Sequence, residues 1–235
     1  LRRITTMAFK KRVQSNLSIS TPEAMLHDIR SKKIEGPLAR QADIWREYTD
    51  KAESLSDIAI RLPTGSGKTL VGIVLGEWRR RKNNERVLYL CPTKQLVKQV
   101  AAQAREVYGI DVAEFTGSKH DYDIESKNSY RRNEKIAIAP YSSLFNTNPF
   151  FENPDIIILD DAHACENYIS TMYSFEVDRL NNEKLFSALI DIIAESYDKL
   201  DLSKFNKNKY DVNWIDKIPT YIFSELSKSL KSFLD

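Results

Sequence analysis

At 235 residues and 42% hydrophobic content, the chain can bury one large domain, or one domain with a sizeable appendage. A formal net charge of +2 neither demands nor excludes a nucleic-acid partner, and the basic runs at Leu1–Arg12, Arg79–Lys82 and Arg131–Lys135 read first as solvated surface. The two cysteines, Cys91 and Cys165, exclude an iron–sulfur cluster held by this chain's thiolates alone and argue against a disulfide framework, which suits an intracellular, cytoplasmic setting.

No apolar run approaches the length of a membrane span. Residues 1–19 read as a basic arm without the apolar centre of a secretory signal, and an opening on Leu1 rather than Met suits a fragment. Ser20-Thr21-Pro22-Glu23 has the hydroxyl cap and early proline of a helix start, and that helix is expected to run to about Lys33. Gly36-Pro37 breaks it, and a second helix over about Leu38–Lys51 carries the stripe Ile44, Trp45, Tyr48.

From there the pattern alternates. Short apolar runs over Asp57–Leu62, Val87–Cys91, Val112–Phe115, Ile136–Ala139 and Ile156–Leu159 read as strands. Helical patterns over Lys68–Arg81 and Thr93–Tyr108, and a short piece over Ser142–Phe145, lie between them, while 116–134 reads as polar loop. Buried strands alternating with helices predict an α/β domain with a parallel sheet covered on both faces. Beyond Tyr168 no strand pattern returns: Val177–Tyr197 and Thr220–Phe233 read as helices around a Lys-, Asn- and Asp-rich stretch. The expected organisation is an arm at 1–19, a core domain at 20–169, and a helical insertion or further domain at 170–235.

Two motifs carry chemistry. Leu62-Pro63-Thr64-Gly65-Ser66-Gly67-Lys68-Thr69 lies between an expected strand and a helix, the context a phosphate-binding loop requires. Backbone amides there face phosphate, Gly65 and Gly67 allow close approach, Lys68 reaches the β- and γ-phosphates, and the Thr69 hydroxyl ligates Mg²⁺. Leu62 stands where the strict motif has glycine. Asp160-Asp161-Ala162-His163 follows the run Ile156–Leu159, expected to be a buried strand, so both carboxylates fall at a strand's C-terminal end, where open α/β sheets bind ligands. Asp160 is placed to hold Mg²⁺ and Asp161 to orient or deprotonate water, with the nearby cations expected to keep the carboxylate ionised.

Together these motifs resemble those of superfamily 2 helicases and translocases, the DEAD/DEAH-box group in the broad sense. The resemblance covers roughly 38–168. It implies a RecA-like P-loop NTPase fold that uses ATP with Mg²⁺, with Asp160 serving the metal, Asp161 in the place of a Glu base, and His163 coupling the ATP site to the rest of the motor. Gln41, next to Arg40, lies where related helicases read adenine, and an amide can donate and accept at once. Cys91–Val97 resembles motif Ia, with Thr93 and Lys94 available to a strand's phosphates. Phe115-Thr116-Gly117 sits at motif Ib, and Ala139–Leu144, with Ser142 and Ser143, resembles motif Ic.

No Ser-Ala-Thr motif III and no arginine-finger motif follows by Asp235, so a second RecA-like domain is expected beyond this chain. The resemblance implies nucleic acid as partner, DNA ahead of RNA, with room for a protein partner and none for a membrane. The Asp160–Ile169 run also resembles uncharacterised bacterial helicases, some linked to antiphage defence. An RNA helicase, a P-loop ATPase acting as switch or scaffold, and a motor whose Asp161 reflects lost catalysis stand as alternatives.

Overall fold

The computed structural model describes residues 19–172, 176–197, 200–205, 226, 227, 229 and 231. The arm at 1–18, most of the expected helix Thr220–Phe233, and Trp214 and Ile215 therefore lie outside the described residues. The chain divides into two compact units, Leu1–Tyr173 and Ser174–Asp235.

The first unit is built on four parallel strands in the order β2-β3-β1-β4: β1 Val87–Cys91, β2 Val112–Glu114, β3 Ile136–Pro140 and β4 Ile156–Leu159. Helices α1 (Pro22–Asp28), α2 (Ala39–Glu47), α3 (Lys68–Asn83), α4 (Lys94–Glu106), α5 (Ile124–Arg131) and α6 (Ala162–Met172) accompany it. Alternation along each strand divides the core. Val87, Tyr89, Cys91, Ile136 and Ile138 join Trp45, Trp78, Val97 and Val100 on one face. Leu88, Leu90, Ala137 and Ala139 face the other way, against Phe115, Tyr122, Tyr130, Tyr141 and Phe151.

Helix α3 seats close to the sheet because Gly72 and Gly76 turn toward it. A Cβ on Gly72 would lie 2.9 Å from the Tyr89 ring, and one on Gly76 would lie 3.0 Å from Val87 and 3.1 Å from Ile158. Ordinary side chains there would push the helix away from β1 and β4. Its N-terminus, which carries Lys68 and Thr69, would move with it.

Several elements differ from the sequence expectations. Asp57–Leu62 forms no ladder with a described strand, and Ile58 and Ile60 are exposed. Apolar composition alone does not make a strand without a paired neighbour. Among the described strands β4 is an edge rather than a buried strand. Ile156 and Ile158 pack onto the first core face, whereas Ile157 and Leu159 remain 44% and 39% exposed. Helix α1 stops at Asp28, since Ile29 turns extended and Lys33 donates its N–H to the Val107 carbonyl at 2.8 Å instead of continuing the helix. Helix α2 passes into a π-helical turn at Tyr48–Ala52. The stretch read as loop at 116–134 contains α5, capped by Asp123, whose carboxylate accepts the Ser126 N–H at 2.8 Å. Ser142–Phe145 gives only a 3₁₀ turn over Tyr141–Ser143.

In the second unit, α7 covers Glu183–Ser196, and Asn182 caps it by accepting the Leu185 N–H at 3.2 Å. That start lies later than the expected Val177. A 3₁₀ turn over Leu202–Phe205 follows. Among the described residues, no helix is long and apolar enough to cross a membrane.

Candidate functional site

The phosphate loop folds on itself before α3 begins. Ser66 donates both its N–H (3.3 Å) and its hydroxyl (2.6 Å) to the Pro63 carbonyl. Gly65 and Gly67 adopt φ of +79° and +78°, a left-handed conformation that costs other residues energy. Pro63, Thr64, Gly65 and Lys68 are exposed, and Ser66, Gly67 and Thr69 partly so, which leaves the N-terminal amides of α3 open to an anion.

Gln41 is buried behind this loop. Its amide nitrogen donates to the Ser66 carbonyl at 2.8 Å, and its amide oxygen accepts the Leu38 N–H at 2.9 Å. The side chain read as an adenine contact therefore bridges α2 to the phosphate loop. One N–H and one lone pair remain for other partners. A Cβ on Gly67 would stand 2.3 Å from that amide nitrogen, so the glycine and the glutamine fit as a pair. The neighbouring Arg40 is exposed.

The sheet brings the second motif to the loop. Asp160 continues the β1–β4 ladder by donating its N–H to the Leu90 carbonyl at 2.9 Å. The Tyr89 hydroxyl, one strand away, lies within hydrogen-bonding reach of both the Asp160 carboxylate and the Thr69 hydroxyl. Thr69 and Asp160 are thus both neighbours of Tyr89, and they are oxygen donors of the kind a hard cation takes. Among the described residues no cluster of three His, Cys, Asp or Glu side chains forms a metal site by itself. Thr69 and Asp160 fit Mg²⁺, which commonly binds one or two protein oxygens and completes its shell with nucleotide phosphate and water.

The Asp160 pKa is raised above the ordinary carboxylate value because burial dominates and Asp161 adds like-charge repulsion. The Tyr89 hydrogen bond and Lys68 pull the other way without prevailing. The same burial, with Asp160 close by, raises the Tyr89 hydroxyl and pushes the Cys91 thiol up to about 12.

Asp161 sits at φ +65°, unusual for a residue with a Cβ, and its carboxylate accepts the Ala164 N–H at 3.3 Å. The buried Tyr141 hydroxyl donates toward the backbone carbonyls of Asp160 and Asp161, at 2.8 Å for Asp161, and clamps the turn between β4 and α6. His163 is exposed on the first turn of α6. Sequence reading missed Tyr89 and Tyr141. A tyrosine inside Val87–Cys91 reads as core, and its hydroxyl gains meaning only once β4 pairs with β1.

The residues read as nucleic-acid contacts divide. Thr93 caps α4, its hydroxyl accepting the Leu96 N–H at 3.2 Å, with Lys94 exposed beside it. Gly117 is open, at φ +98° with no atom within 4 Å of the place a Cβ would take. Ser142 is exposed. Ser143 is buried, and its hydroxyl is shared with that of Tyr122 at 3.1 Å, so it is engaged inside the fold rather than offered to a phosphate.

The family model for the DEAD/DEAH box helicase matches residues 39–195, about two thirds of the chain. That match continues past Tyr168 through most of α7. No curated protein and no solved structure matches the chain. With the matched segment spanning α2, the phosphate loop, the parallel sheet and Asp160–His163, the chain belongs to the DEAD/DEAH box helicase family and has the α/β architecture of a superfamily 2 first motor domain.

Proposed function

We propose that this chain is the ATP-binding half of a superfamily 2 motor that moves on DNA. The observation that carries the reading is the open phosphate loop that starts α3 at Lys68, with Asp160 extending the β1–β4 ladder at the C-terminal end of β4. Lys68 and the α3 amides would bind the phosphates, and Thr69 and Asp160 would hold Mg²⁺, which would supply charge neutralisation to them. Tyr89 orients the two oxygen donors. Asp161 takes the base position, held by its turn and by Tyr141 below it. The Asp161 carboxylate must leave or share the Ala164 N–H to reach a water, which makes this step the slow one in our reading.

Thr93, Lys94, Gly117 and Ser142 form the reading's strand-contacting set through phosphate, a mode with little base preference. A second RecA-like domain would supply the arginines that stabilise the transferring phosphoryl group. The chain alone is therefore expected to bind ATP weakly and turn it over slowly. ATPase measured with and without single-stranded DNA tests this. Lys68→Ala should abolish nucleotide binding, and Asp161→Asn should keep binding and lose the residual hydrolysis. Vigorous DNA-stimulated turnover by these 235 residues would overturn the need for a second domain. Stimulation by RNA but not DNA would move the reading to an RNA motor. Indifference to both would leave an ATPase switch.

A further inference from the structure

On the other face of the sheet, away from α3, a cavity of about 570 Å³ opens between α5 and the crossover that leads from β3 to β4. Its volume suits a ligand of nucleotide size. Lys119, Lys127 and Arg131 line it, with Arg86 at one end and Glu152 as the lining carboxylate. Arg86 is already neutralised by Asp155 at 3.2 Å. The other three cations have no carboxylate partner among the described residues. Lys119 donates to the Asn148 carbonyl at 3.3 Å, Lys127 lies over the Tyr122 ring at 5.9 Å, and Arg131 lies over the Phe150 ring at 5.2 Å.

A second observation points to a ligand. Tyr130 lines the cavity and is only 3% exposed, yet its hydroxyl has no hydrogen-bond partner. A buried hydroxyl left unpaired costs about 1–3 kcal/mol, so proteins seldom keep one without use. Here it stands near the Arg86–Asp155 pair and beside Phe150, a partly buried ring that also lines the cavity.

We propose that this cavity is a second anion site that takes a nucleotide phosphate, with the phosphate held by Lys119, Lys127 and Arg131 and by the Tyr130 hydroxyl, and the base against Phe150. Cations that track phosphate beside an aromatic platform are how single strands are held without sequence preference. The same chemistry accepts a free nucleotide. The site involves neither the phosphate loop nor Asp160, and it stands or falls independently of the motor reading.

The test uses the full chain and two probes: fluorescein-labelled oligothymidylate by anisotropy, and thymidine 5′-monophosphate by calorimetry. Lys127→Glu/Arg131→Glu should weaken binding at least tenfold. The charge-matched control Arg30→Glu/Lys51→Glu, both residues being exposed and away from the cavity, should change it less than twofold. If the oligonucleotide is the ligand, the milder Lys127→Gln/Arg131→Gln should flatten the salt dependence by about 1.4 in log–log slope, two phosphate contacts on a single strand.

Tyr130→Phe separates function from folding. It should lower affinity about threefold while the melting temperature stays level or rises, because an unpaired hydroxyl is removed. Loss confined to the oligonucleotide assigns a strand, and loss confined to the monophosphate assigns a free nucleotide. Equal loss in the cavity and control variants, or binding of both probes indifferent to the cavity variants, overturns the proposal.

Discussion

The two faces of the sheet use opposite packing chemistry. The first sets the branched aliphatic residues Ile136 and Ile138 on β3 and Val87 on β1, with Tyr89 and Cys91, against the regular helices α3 and α4. The second sets Ala137 and Ala139 beneath rings packed mostly edge to face: Phe115 lies 5.0 Å from Tyr122, 5.1 Å from Phe151 and 5.7 Å from Phe150. Small strand residues leave room that rings fill, and rings cover a sheet where two short helices, α5 and α6, and a crossover are at hand. The difference tracks function. The helix-covered face fixes the phosphate loop against Asp160, while the ring-covered face holds the cation-lined cavity.

If rings rather than helices support the second face, the largest single loss should come from Phe115→Ala. The side chain is fully buried at the centre of the cluster, and its removal should cost about 3–5 kcal/mol by urea unfolding. A cost near that of an ordinary Ile→Val change, about 1 kcal/mol, would mean that the cluster collapses readily and that the two faces do not differ in this way.

Gly72→Ala probes the first face. The added methyl meets the Tyr89 ring at 2.9 Å and Ile158 at 3.4 Å, so either α3 or the ring must move. Overpacking of this kind costs about 1–3 kcal/mol. Because Tyr89 also reaches Asp160 and Thr69, ATP turnover should fall by more than the unfolding loss alone explains. A stability loss with unchanged nucleotide handling would detach Tyr89 from the site.

Gly67→Ala strikes the loop rather than the core. At φ +78° an alanine costs about 1–2 kcal/mol, and its methyl would displace the Gln41 amide 2.3 Å away. Affinity for a nonhydrolysable ATP analogue should fall at least tenfold, while the urea midpoint should drop by no more than the strain of about 1–2 kcal/mol accounts for. Adding Gln41→Ala should relieve the clash but not the backbone strain, so recovery should be partial. Full recovery would show that the clash is the whole effect.

What was legible in the sequence was local. The phosphate loop, the Asp160–His163 run and four of the five expected strands depend on spacing and composition, and each is readable without partners. What escaped depends on neighbours far along the chain. Asp57–Leu62 has strand composition but no strand beside it among the described residues. Gln41 reads as a free amide until Ser66, 25 residues on, takes its N–H. Ser143 reads as an available hydroxyl until Tyr122 claims it. Helix α5 is the one miss with a local signal: Asp123 as cap followed by Glu125 in the first turn marks a helix start inside a polar stretch. The burial of Asp160 was equally illegible, because sequence shows the cation beside a carboxylate but not the water excluded from it.

The smallest effect lies at the joint between the two faces, where β1 and β4 begin. Asp155 accepts the Arg86 backbone N–H at 2.8 Å and pairs with its guanidinium at 3.2 Å, which lowers the Asp155 pKa below the ordinary carboxylate value. A depressed folded-state pKa contributes stability that is fully present above the unfolded value, about 3.9, and is lost as pH falls through the folded one. With the Asp155 side chain 42% exposed, solvent screening holds the contribution below about 1 kcal/mol. Asp155→Asn should therefore be slightly less stable than the parent near pH 7, and the gap should close as pH drops below about 4. Arg86 keeps its charge throughout that range, since the same pairing raises its own pKa. A gap that persists at low pH would assign the effect to the lost backbone hydrogen bond rather than to the ion pair.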